Sequence, residues 1–198
     1  MGAYAAYLTA RGLRMATPAS AVAALGVDFG ANVARLAWQY RQADRHARER
    51  ADELRAGLLA LRQRYQTVRV VAHSLGCRHI LEALHQDATD KYDETVDLRP
   101  DWLHLCAPAC AEQDVQDVLS MGAARRNIYV YYTDRDAVLT TLFRAMHPEH
   151  SAALGAVGPS AGLGAYPGLV TYDASDAFTW RVHTAYAKRF YSLALPPG

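Results

Sequence analysis

Apolar positions along the chain switch repeatedly between a strand-like and a helix-like rhythm. Ala3 to Thr9 reads as a short apolar strand bearing tyrosines, and Thr17-Pro18 as the N-cap and first turn of a helix running to about Leu25. Val33 to Tyr40 returns to an extended pattern. Ala47, Ala51, Leu54, Leu58 and Leu61 then recur at three- and four-residue intervals, one stripe of a long helix that should pack on a sheet. Thr67-Val68-Arg69-Val70-Val71-Ala72 is short, β-branched and apolar, as a buried parallel strand is.

Beyond it, Cys77, Ile80, Leu81 and Leu84 mark the inner face of a helix ending near His85. Trp102 to Ala107 reads as a strand, Glu112 to Met121 as a helix, and Asn127 to Tyr132 as another strand. Val138, Leu139, Leu142, Phe143 and Met146 form a further helical stripe. Ser151 to Gly168, rich in Gly, Ala and Pro without periodicity, reads as one long flexible loop. Leu169 to Tyr172 is the last expected strand, followed by a helix from about Thr184. There is no internal repeat. Strands alternating with helices imply an α/β architecture: a mainly parallel sheet with helices on both faces. Residues 1–198 are expected to form one domain.

Within this pattern Val70-Val71-Ala72-His73-Ser74-Leu75-Gly76 places a serine at the apex of a strand, tight turn and helix start. Small flanking residues suit a strained turn that brings strand and helix close together. The turn holds the hydroxyl above the strand ends, where the helix N-terminus offers an N–H and a positive dipole end. An ordinary turn with Ser74 as a cap is the competing reading. The segment resembles the nucleophile elbow of the α/β-hydrolase family, Gly-x-Ser-x-Gly, with Ala72 where the family usually has its first glycine. That resemblance implies a minimal α/β-hydrolase of about six mainly parallel strands, with Ser74 as nucleophile.

In that family an acid and then a histidine follow the serine along the chain. Thr133-Asp134-Arg135-Asp136 follows a strand here, and Asp136 resembles the acid, with Asp134 as competitor and helix capping as the alternative job for either. His183, after the last strand, resembles the catalytic histidine. One oxyanion donor would be the N–H of Leu75; the second would come from the loop after the first strand, at Gly12 or Leu13, although Arg11-Gly12 matches the family's His-Gly only through the glycine. The reaction implied is hydrolysis of short-chain carboxylic esters through an acyl-enzyme, without a cofactor. The alternatives are thioester or amide hydrolysis by the same triad, and a catalytically inactive binding or scaffold protein on this fold.

Composition narrows the rest. Of the 198 residues 21 are Lys or Arg and 20 Asp or Glu, so a net charge of +1 gives no field to draw nucleic acid or anionic lipid. The densest charge run, Arg41 to Arg62, alternates in sign and reads as a solvated helix face. Cys77, Cys106 and Cys110 cannot all pair; Cys106 and Cys110 lack zinc-site spacing and read as small buried residues, and a reducing compartment is favoured. Arg11 and Arg14 interrupt the apolar opening, so no leader is expected, and no run reaches the roughly 20 apolar residues of a membrane span. A cytoplasmic protein is the expectation. His147-Pro148-Glu149-His150 reads as a surface loop and not a metal site. The family resemblance implies two further N-terminal strands; an opening strand left at a sheet edge invites pairing, and a homodimer is the hypothesis that follows.

Overall fold

β-Branched and aromatic runs build a four-stranded sheet: β1 (Arg69–His73), β2 (Trp102–Cys106), β3 (Asn127–Tyr132) and β4 (Leu169–Asp173). The strands lie side by side in chain order and every pairing is parallel. The computed structural model describes residues 38, 41–42, 45–46, 49–85, 97–147, 152–160, 164–178, 183, 185–186 and 188–190. Its contacts divide the chain into two compact units, Met1–Gln42 and Ala43–Gly198. The sheet lies within the second.

Four strands, not about six, are therefore present among the described residues. The strand expected at Ala3–Thr9 and the helix expected from Thr17 to Leu25 lie outside those residues. Of Val33–Tyr40 only Trp38 is described, and it is helical where an extended pattern was expected.

Strand alternation sends Val70, Ala72, Leu103, Leu105, Ile128 and Val130 to one face. There they form the main core with Leu58 of α1 (Ala51–Arg64) and with Cys77, Ile80 and Leu81 of α2 (Leu75–Leu84). On the opposite face His104 is wholly buried, stacked on Tyr129 at 4.7 Å, with Phe190 edge-on at 5.3 Å and its Nδ1 3.0 Å from the Tyr131 hydroxyl. The helical residues within 183–190 thus lie across the sheet from α1 and α2.

Two sequence expectations fail in α1. Leu61, assigned to the inner stripe, is exposed, whereas Arg55, assigned to the solvated face, is buried. Arg55 Nη1 donates to the carbonyls of Ala83 (2.8 Å) and His85 (3.3 Å), acceptors that the end of α2 leaves without helical partners. Arg62 pairs at 2.9 Å with Asp101, which also accepts the Val68 N–H. Both arginines bury their stems and spend their charge on groups distant in sequence.

The helix expected over Glu112–Met121 is broken into a 3₁₀ turn (Glu112–Asp114) and α3 (Gln116–Ser120). The stripe after β3 coils as a π-turn (Val138–Phe143) leading into α4 (Arg144–Met146). Thr140 and Thr141 return their hydroxyls to the carbonyls of Asp136 and Ala137, which loosens the ordinary helical ladder there.

The segment from Ser151 to Gly168 corrects the expectation of a long flexible loop. It contains α5 (Leu154–Val157), whose Leu154, Gly155 and Ala156 are buried, and Ala153 bridges to Ala111. A Cβ at Gly155 would come within 2.4 Å of the Ala107 carbonyl carbon. At Gly155 the small residue is required because backbone meets backbone there.

Candidate active site

The strand ends gather the chemistry. At the end of β1 the backbone reverses through Ser74, whose φ of 54° and ψ of −123° lie where non-glycine residues seldom go. Such a conformation costs on the order of 1–3 kcal/mol and persists when the surroundings over-determine it. Three backbone bonds do so: the Ser74 N–H donates to Cys106 O (3.0 Å), and the Ser74 carbonyl accepts from Cys77 (3.0 Å) and Ala109 (3.2 Å). Ala72, the departure from glycine, is accommodated in the core. Gly76 was expected to be small for close packing, yet a Cβ there would meet nothing within 4 Å.

Ser74, His183 and Asp136 are brought into one hydrogen-bonded line. His183 Nε2 lies 2.9 Å from Ser74 Oγ, and His183 Nδ1 lies 2.8 Å from Asp136 Oδ2. A carboxylate only accepts, so Nδ1 carries the proton and donates, leaving Nε2 to accept the serine hydroxyl. Asp136 is wholly buried, and its other oxygen, Oδ1, accepts the N–H groups of Val138 (3.0 Å) and Leu139 (3.2 Å). The capping role and the histidine-holding role, rivals in the sequence, are shared between the two oxygens of one residue. Asp134 is exposed instead, and the fold directs Asp136 to the histidine.

Leu75 is the first residue of α2, so its N–H has no acceptor within the helix and sits beside the serine. Gly12 and Leu13 lie outside the described residues. Cys77, Cys106 and Cys110 are buried and form no disulfide; burial raises the Cys77 thiol well above its usual range and pushes Cys106 up to about 12. Neither of these two supplies a thiolate near neutral pH, and the side chain that the turn presents is the hydroxyl of Ser74. His147 packs on Phe143 at 4.8 Å, and no group of three or more metal-ligating side chains occurs among the described residues.

Sequence reasoning passed over His73, the neighbour of Ser74, whose ring reaches the His183 ring. Burial lowers its pKa first and the nearby His183 second, against opposing effects from the His183 backbone and Asp136. Its only sequence signal was its place beside the serine at the end of a strand. Comparison with protein-family models, with curated proteins and with solved structures gives no match, so the reading of this site rests on its own geometry.

Proposed function

We propose that the chain is a serine hydrolase of the α/β-hydrolase type, an esterase acting on small-molecule carboxylic esters with short acyl chains. One observation carries the reading: the continuous line from Ser74 through His183 to buried Asp136, set on a strained strand-to-helix turn. His183 takes the serine proton as Ser74 attacks the ester carbonyl, then returns it to the leaving alcohol. Asp136 holds the imidazole in the required tautomer and stabilises the imidazolium. The N–H of Leu75 donates to the oxyanion. Water then repeats the cycle on the acyl-enzyme, and no cofactor enters.

The reading is tested with a fluorophosphonate probe, which labels an activated serine. Wild-type protein is expected to label and to turn over short esters, while Ser74→Ala keeps the fold and loses both, a fall of many powers of ten in kcat. Unlabelled wild type, or turnover surviving in the variant, overturns it. Thioesters and amides in the same assay separate the ester reading from its relatives.

Three buried cysteines that form no disulfide support a reducing, cytoplasmic setting. No helix among the described residues is long and apolar enough to cross a membrane. The homodimer stays a proposal, tested by the mass in solution at micromolar concentration.

A further inference from the structure

Asp136 and His183 meet at 2.8 Å, but they arrive on separate segments, the turn after β3 and the helical residues within 183–190. Both segments must be held if that bond is to keep the length and angle that proton transfer requires.

A second link joins the same two segments through Ser175, the first residue of a 3₁₀ turn (Ser175–Ala177) that follows β4. On the acid's side, Thr133 opens the turn: its carbonyl accepts the Asp136 N–H at 3.4 Å and its Oγ1 accepts the Arg135 N–H at 3.2 Å. The Thr133 hydroxyl also lies 3.0 Å from Ser175 Oγ, and Arg135 Nη1 donates to the Ser175 carbonyl at 2.7 Å. On the histidine's side, Phe178, next beyond the 3₁₀ turn, packs on Tyr186 with ring centroids 4.6 Å apart, and Arg189 donates to the Ala177 carbonyl. The acid turn is thus tied to Ser175, and the chain just after Ser175 is tied to the residues around His183.

The proton directions in this link are fixed. Ser175 Oγ lies 2.5 Å from Asp173 Oδ1, which also accepts the Ser175 N–H at 2.9 Å. Those two bonds hold the Asp173 carboxyl below its usual range, so it is a carboxylate and only accepts. The single Ser175 hydroxyl proton therefore points at Asp173, and the Thr133 hydroxyl donates to Ser175 Oγ while accepting from Arg135. Thr133 is wholly buried, so water does not stand in for a hydroxyl lost there.

We propose that Thr133 and Ser175 are positioning residues for the triad, the hydroxyl bond between them clasping the turn that carries Asp136 to the chain that leads to His183. Both act through Asp136 and His183. The kinetic part of the test rests on the serine-hydrolase reading; the spectroscopic part does not.

Thr133→Val, Thr133→Ser, Ser175→Ala and the double variant Thr133→Val with Ser175→Ala are compared with wild type for kcat and KM on a short ester and for melting temperature. The low-field proton of the His183–Asp136 hydrogen bond is followed by proton NMR without substrate. Valine keeps the shape of threonine without its hydroxyl, and serine keeps the hydroxyl without the methyl. Thr133→Val and Ser175→Ala are each expected to lower kcat by on the order of 10²-fold at unchanged KM and to broaden the low-field proton away. Thr133→Ser should rescue, staying within a few-fold of wild type with that proton kept. Because the two hydroxyls share one bond, the double variant should fall far less than the product of the two single losses.

Losses that multiply in the double variant, or Thr133→Ser as impaired as Thr133→Val, overturn the proposal. So do an unchanged kcat and low-field proton in Thr133→Val and Ser175→Ala, whatever their melting temperatures. If Thr133→Val does not fold, Ser175→Ala, at a half-buried position, decides on the same readouts. If wild type shows the low-field proton but no turnover, the esterase reading fails, and the NMR comparison still decides the clasp. Wild type with neither overturns both.

Discussion

Asp136 holds His183 with Oδ2 and caps the turn at Val138 and Leu139 with Oδ1, so one substitution can separate chemistry from folding. Asp136→Asn can keep an oxygen toward the two N–H groups, but its amide then offers donors to His183 and reverses the tautomer. A fall of about 10⁴-fold in kcat follows at little loss of melting temperature, whereas exposed Asp134→Asn should stay within a few-fold. Steady-state kinetics on the two variants checks the ranking, and the reverse order would move the acid to Asp134. The three residues singled out by chain order are the ones the fold joins, because a strand end, a post-strand loop and a late helix start are each marked locally. His73 was not legible: nothing in Ala72-His73-Ser74 says that a ring 110 positions later packs on it.

At the scale of elements, the same glycine count hides opposite constraints. A methyl at Gly155 would drive into the Ala107 backbone at the end of β2, while a methyl at Gly76 meets open space within α2. Gly155→Ala should destabilise by about 1–3 kcal/mol through overpacking, and Gly76→Ala should be neutral or stabilise by up to about 1 kcal/mol through helix propensity. Chemical denaturation of the two variants measures both signs. The strands were readable because β-branched runs declare themselves. The break at Val115 was not, since it depends on distant bonds: Asp114 to Arg78 at 2.8 Å, and Glu112 to Ser160 and Tyr166. Arg55 and Arg62 were misjudged for the same reason, as their partners lie 28 to 39 positions away.

The back face of the sheet gives a pH dependence at this scale. Burial lowers His104 to about 4, while in the unfolded chain it titrates near about 6.5. Below about 6.5 the unfolded state takes up a proton that the folded state refuses, so stability falls with pH until about 4, where both are protonated. The loss amounts to a few kcal/mol at most. His104→Phe should be less stable at pH 7, because the Tyr131 hydroxyl loses its partner, but flatter from pH 7 to 4. An unchanged slope of melting temperature against pH would refute this assignment.

At the scale of the molecule, substrate size is set by the chain that stands over the strand ends. Between β2 and β3 the described chain holds only a 3₁₀ turn and the five residues of α3, too little for a covering domain. The segment around α5 is already committed elsewhere: Gly155 donates to Pro108 and accepts from Thr133, and Glu112 ties down Ser160 and Tyr166. A segment so engaged closes poorly over a long apolar chain. Each methylene of an acyl group adds about 0.8 kcal/mol, roughly fourfold in kcat/KM, only while a pocket takes it out of water. In a series of esters with a common leaving group, kcat/KM should therefore rise across roughly the first two to six acyl carbons and then level or fall. A continued fourfold rise per methylene into long chains, or activation at a lipid surface, would contradict the short-chain prediction and require a cover over the bound substrate.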